Sequence, residues 1–238
     1  MTSADPTVTE AGLMKLALWL SPAFPVGGFT YSHGLEWAIE DGSVPSAAAL
    51  EAWLVDILDH GAGRNDAILF AHAWRAAATA DFGALAAVAE LADALSPTRE
   101  RRLETGAQGT AFAKAISDTW GSPEWQAAEA GLRDRYHTIP WTYPVAVGTA
   151  AGCHGIALKP ALALFLQCFV ANIVSAGVRA IPLGQTDGLG IVSRLAPRAL
   201  ALADWAMTAD LDAIGGATLR ADIASMRHET QYTRLFRS

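Results

Sequence analysis

The chain has 238 residues, enough for one large domain with a continuous core. Its 52% hydrophobic and 17% charged residues leave less polar surface than a soluble monomer usually carries. A net charge of −7 with no dense basic face argues against nucleic acid as a partner, because phosphate binding needs such a face. Cys153 and Cys168 form neither a CxxC pair nor a disulfide framework, which fits reduced thiols and a cytoplasmic location.

In chain order, MTSADPTVTE has two carboxylates and neither a basic nor an apolar leader region, so residues 1–10 are expected to be a disordered lead rather than a signal peptide. The stretch Ser21 to Trp37, SPAFPVGGFTYSHGLEW, follows. Pro22 and Pro25 fix φ and remove donors, while Gly27 and Gly28 permit turns that a Cβ would resist. Thr30 or Ser32 is expected to cap a helix with Glu36 in its first turns, an apolar Leu35/Ile39 pair, and Gly42 as its stop. A phosphate cradle at Gly27-Gly28 with His33 or Glu36 as a catalytic or metal-binding group is the functional alternative. The missing P-loop lysine and the lack of a preceding strand favour a packed helical entry.

Pro45-Ser46 opens a helix whose Leu50, Trp53, Leu54, Ile57 and Leu58 make one apolar stripe, closed by Gly61 and Gly63. Asn65 or Asp66 is expected to cap the next helix, and an alanine-rich helix runs from about Phe82 to Leu95. Ser96 and Pro97 then read as cap and first residue of a long helix to Trp120. Its Arg99, Arg101 and Arg102 lie beside Glu100 and Glu104 and read as a solvated, self-paired face, while Gly106 and Gly109 suggest close helix approach. A short helix from Pro123 to Arg135, a proline-bracketed hinge at Ile139 to Pro144, and a Gly/Ala-rich segment follow.

Ala161 to Val178 is the longest apolar run. Gln167, Asn172 and Ser175 interrupt it, which favours a buried core helix over a membrane span. Ala180 to Gly190 reads as a second prescribed loop, and Val192 to Ala209 as helix with a possible kink at Pro197. No alternating β-branched run, internal repeat or long linker is present, so the expected fold is an all-α single-domain bundle of about ten helices over residues 11–225, followed by a tail at 226–238.

The six histidines show no HxH, HxxxH or HExxH spacing, and there is no GxSxG elbow, so no catalytic residue, resident metal or cofactor is expected. Cys153-His154 is the best direct nickel- or zinc-binding candidate, but neighbours on a helix point about 100° apart. A buried thiol beside a hydrogen-bonded histidine explains the pair as well. The tail Met226 to Ser238 puts three arginines with Tyr232, Leu235 and Phe236 at the end of an acidic chain. Partner docking and packing on its own bundle both fit it.

Several blocks in order, SPAFPVGGFTYSHGLEWAIEDG, RERRLETGAQGTAF, YPVAVGTAAG, AGVRAIPLGQTDG and SMRHETQYTRLFRS, resemble the urease accessory protein UreF family over nearly the whole chain. The resemblance implies a non-enzymatic, all-helical, homodimeric chaperone. Such a protein bridges UreD (also called UreH) and the GTPase UreG while nickel is inserted into apo-urease. It further implies a partner-binding tail, here Met226, His228, Glu229, Tyr232, Arg234, Leu235, Phe236 and Arg237, with Arg234 matched to an arginine implicated in recruiting the GTPase.

Overall fold

The structure is a computed structural model that describes residues 8–238, so most of the expected lead lies outside the described residues. Among these residues the chain forms eleven α-helices, two short 3-10 turns and no strand, an all-α fold as the periodicities indicate.

The local signals explain most boundaries. Helix α1 (Glu10–Trp19) starts at Thr9, whose hydroxyl accepts from Gly12 N. A 3-10 turn at Gly28–Thr30 precedes α2 (Leu35–Glu40). Its N-cap is Gly34 rather than Thr30 or Ser32, yet Ser32 Oγ still accepts from Glu36 N at 3.3 Å. Ser46 caps α3 (Ala47–His60) as expected. Helix α4 (Ala62–Ala78) follows at once and contains Gly63, Asn65 and Asp66, so none of these ends α3 or caps α4. Helix α5 spans Phe82–Ala94. Thr98, not Ser96, caps α6 (Arg99–Trp120), because its hydroxyl reaches Arg101 N.

Helix α7 (Pro123–Arg133) is capped by Ser122. The hinge after it is pinned by Trp141, which stacks on Trp125 at 5.4 Å, and ends as α8 (Tyr143–Cys153) begins. Helix α9 runs Leu158–Ala180, and α10 (Gln185–Ala206) starts within the expected second loop, leaving only residues 181–184 irregular. Asp187 supplies the reason, since its carboxylate accepts from Gly184 N and closes the first turn. Helix α10 continues through Pro197, and α11 spans Leu219–His228.

Helix α8 is the axis of the bundle. All of its residues but Tyr143 are buried, and its small side chains lie against α4 and α6. Helix α9 packs on α10, α4, α3 and α2, with α5 and α7 on one flank and α11 against α2 and α6. The apolar run is a core helix, as expected. Only one face of α9 is buried, and Leu164, Gln167 and Asn172 sit on its less buried side. Helix α9 is long and apolar enough to cross a membrane, as a core helix of a bundle also can be.

Gly109 is the close-approach glycine of α6. A Cβ there would lie 2.4 Å from the Trp141 carbonyl oxygen, whereas Gly106 faces open space. The expectation for that pair therefore holds at one position.

Candidate functional site

The C-terminal segment is the functional feature with the most unusual chemistry, because three buried carboxylates hold it. Glu36 comes from α2, and Glu100 and Glu104 from α6, and all are less than a tenth exposed. Glu100, Glu104 and Gln108 recur at i, i+4 and i+8, so α6 turns one polar stripe inward. A like-charged pair at this spacing opposes helix formation unless cations from elsewhere offset it. The solvated, self-paired face expected for these residues is therefore only half present. Arg102 pairs with Asp93 at the surface, but the two glutamates are core groups.

Their partners come largely from the tail. His228, at the end of α11 and fully buried, places Nδ1 2.6 Å from Glu100 Oε2 and Nε2 3.0 Å from Glu36 Oε2. Arg234 Nη1 donates to Glu100 Oε1 at 2.7 Å. Glu36 also accepts the backbone N–H groups of Leu235 at 2.6 Å and Phe236 at 3.0 Å. Ser238 Oγ donates to Glu104 at 2.6 Å, while the Ser238 carbonyl accepts from Ser32 N at 2.7 Å and from the Ser32 hydroxyl. Arg237 N reaches the Thr30 carbonyl at 2.8 Å. Residues 30–36, α6 and residues 228–238 thus close one polar knot.

Two left-handed residues shape the receiving surface. His33 and Gly34 have φ of 57° and 76°, and a Cβ on Gly34 would meet Ser225 N at 2.7 Å. A glycine is therefore needed where α11 crosses the entry to α2. Ser225 also exchanges a 2.8 Å hydrogen bond with Thr98, tying α11 to the start of α6.

Electrostatics separate the members of the knot. Burial raises the proton affinity of Glu104, but Arg101 and then His33 outweigh it and hold this carboxyl well below the usual range. Burial and Arg101 push His33 down against the opposing pull of Glu104, whose Oε1 lies 2.8 Å from His33 Nε2. Its Nδ1 is buried without a partner. Asp66 faces the same interior region, and burial pushes its carboxyl up to about 7 despite Arg101. Two adjoining cavities of about 280 and 200 Å³ share His33, Asp66, Arg101 and Thr105 in their walls.

The tail residues divide into two groups. His228 and Phe236 are buried, and Phe236 lies under the Arg179 guanidinium at 4.5 Å, which also covers Phe29. Glu229 turns back to accept from Arg99 N at 2.9 Å. Tyr232 and Leu235 project into solvent with Met226, and Arg234 and Arg237 flank them. Leu219, Ile223 and Met226 extend this exposed apolar surface along α11 at i, i+4 and i+7.

Cys153 is the last residue of α8 and His154 its C-cap. Burial pushes the Cys153 thiol up to about 12, and His154 Nδ1 lies 3.0 Å from Lys15 Nζ. Among the described residues no group of three or more His, Cys, Asp or Glu side chains is arranged to hold a metal ion.

Comparison with known proteins places this architecture. The UreF family profile matches residues 44–196. Full-length relatives extend the match to both ends, including the tail. The chain belongs to the UreF family. The urease accessory protein UreF of Xanthobacter autotrophicus is 53% identical over 237 residues, covering 100% of this chain and 94% of its own. That of Rhodopseudomonas palustris is 50% identical over 239 residues, covering 100% and 96%. That of Methylobacterium radiotolerans is 51% identical over 233 residues, covering 98% and 100%. Sequence reasoning reached this UreF assignment through its motif blocks but missed Glu100, Glu104 and Asp66. An i, i+4 glutamate pair is ordinary on a helix surface, and only the fold turns this one inward.

Proposed function

We propose that this UreF protein is a non-catalytic accessory protein of urease maturation, acting in the cytoplasm as a homodimer. In this reading it bridges UreD and the GTPase UreG while nickel, the cargo, is inserted into apo-urease. The relatives' names support the urease-accessory role, and the motif resemblance supports the partners. The observation that carries the docking part is the divided tail. His228, Phe236 and Ser238 fix it to the bundle, while Tyr232, Leu235, Arg234 and Arg237 face solvent. Large apolar and arginine side chains held rigidly at a surface lose little entropy on binding, which is how interface hot spots are built.

In this reading Arg234 contacts the GTPase with the part of its guanidinium left free by Glu100, and Tyr232 and Leu235 contact UreD. Phe236 and His228 act from within by holding the segment. The exposed Leu13, Met14 and Leu18 on α1 supply further apolar surface for self-association or a second partner contact. Co-purification with UreD and UreG tests the proposal. Arg234→Ala is expected to retain UreD and lose UreG, and Leu235→Ala to weaken UreD, with unchanged helical circular dichroism. Full assembly and urease activation by both variants would refute it.

A further inference from the structure

Both ring nitrogens of His228 lie on carboxylate oxygens in a site closed to solvent. A neutral imidazole has one N–H and one lone pair, and a lone pair facing a carboxylate oxygen at 3.0 Å makes no hydrogen bond. The two contacts therefore need two protons. With the ring doubly protonated, Glu36 and Glu100 carry two negative charges, and His228 and Arg234 carry two positive ones. Removing one proton leaves an uncompensated buried charge, and that is strongly unfavourable.

We propose that Glu36, His228 and Glu100 form a proton-holding latch. His228 is its positioning residue, keeping both ring protons while the tail is seated and making the presentation of Arg234 and Leu235 dependent on pH. The groups facing the ring set its balance from every side. Glu36 faces it from α2, Glu100 from α6, and Arg234 reaches it through Glu100. Beyond these lie Arg101, Glu104 and His33 in the adjoining cluster, Glu40 bound to Gln231, and Asp222 and Arg227 on α11 itself.

Unseating the tail opens all of the bonds that Glu36 and Glu100 make to it. An ordinary hydrated imidazole holds its second proton only below about pH 6.5. Above that pH, opening releases one proton, so the fraction of unseated tail rises about tenfold per pH unit. Rising pH loosens the latch and falling pH tightens it. The inference rests on the proposed function only for what the latch serves, because seating and proton retention are properties of the chain alone.

Two measurements on the full chain without partners test it. The first is long-range nitrogen–proton NMR of the His228 ring at pH 7, where both nitrogens are expected to carry protons. A single neutral tautomer at His228 would overturn the proposal. The second is amide hydrogen exchange of Leu235 and Phe236 between about pH 7 and 8, referenced to the intrinsic rates of an unstructured peptide of the same tail sequence. The tail amides are expected to gain an extra acceleration of about tenfold per pH unit over those intrinsic rates. A pH slope equal to the intrinsic one at both amides would overturn it, as would a His228→Gln variant that keeps the extra slope. If that variant fails to fold, the two wild-type measurements still decide the matter. Normal UreG binding by Arg234→Ala would refute the docking reading and leave these outcomes unchanged.

Discussion

Replacing Glu36 with alanine removes the acceptor of three hydrogen bonds at once, those from His228 Nε2, Leu235 N and Phe236 N. Hydrogen bonds to a charged group contribute about 1.5–3 kcal/mol each, so a tail that stayed seated would lose roughly 4–9 kcal/mol. It need not stay seated. The segment has water on one side, so the chain can lower that cost by releasing residues 228–238 and hydrating the freed donors. The loss then falls on the tail and only in part on global stability, because none of the hydrogen-bond partners of the Glu36 carboxylate lies on α4, α8 or α9. Amide exchange at Leu235 and Phe236 is expected to accelerate at least 100-fold, equivalent to about 2.7 kcal/mol, while Ile173 changes far less. Tail amides protected within threefold of the parent would refute the view that the buried carboxylates hold this segment.

Three further outcomes follow from the same geometry. Gly34→Ala forces a left-handed alanine against the Ser225 backbone and is expected to cost about 2–5 kcal/mol, so an unchanged urea midpoint would count against that packing. Glu104 has a depressed folded-state proton affinity, so its contribution is present above the ordinary value of 4.5 and is lost as pH falls below it. Urea midpoints of Glu104→Gln between pH 3.5 and 7 should therefore fall less steeply with acid than the parent's. Asp66 has the opposite sign. Its carboxyl is raised from 3.8 to about 7, so folding binds an extra proton in that window and stability declines as pH rises through it. Asp66→Asn is expected to stabilise the protein by roughly 2–4 kcal/mol at pH 8 and hardly at all at pH 4, and equal effects at both would contradict the assignment.

The helices were largely legible because each signal was local. Ser46 caps the helix expected after it, and the stripe from Leu50 to Leu58 is the buried face of α3. The misplaced boundaries have local causes too. Asn65 looks like a cap but accepts from Gly215 N, 150 residues away, and Asp187 restarts helix where glycines suggested a loop. The site was legible only in its tail half. Glu36, Glu100 and Glu104 look like ordinary helix-surface carboxylates until α11 brings His228 and Arg234 over them, and a pairing across more than 120 residues leaves no mark on either local pattern. Phe236 likewise reads as an exposed tail aromatic and becomes an anchor only because Arg179 and Phe29 meet it.

The central claim, that the exposed side of the seated tail is a docking face, is tested most directly by a photo-crosslinking residue at position 232. The Tyr232 side chain is fully exposed and makes no hydrogen bond within the fold, so the replacement should leave the knot intact. With UreD and UreG present, the account expects crosslinks from position 232 to one of these two proteins and none from position 52, an exposed site on α3. Crosslinks from position 52 alone, with position 232 silent in a complex that still assembles, would contradict it.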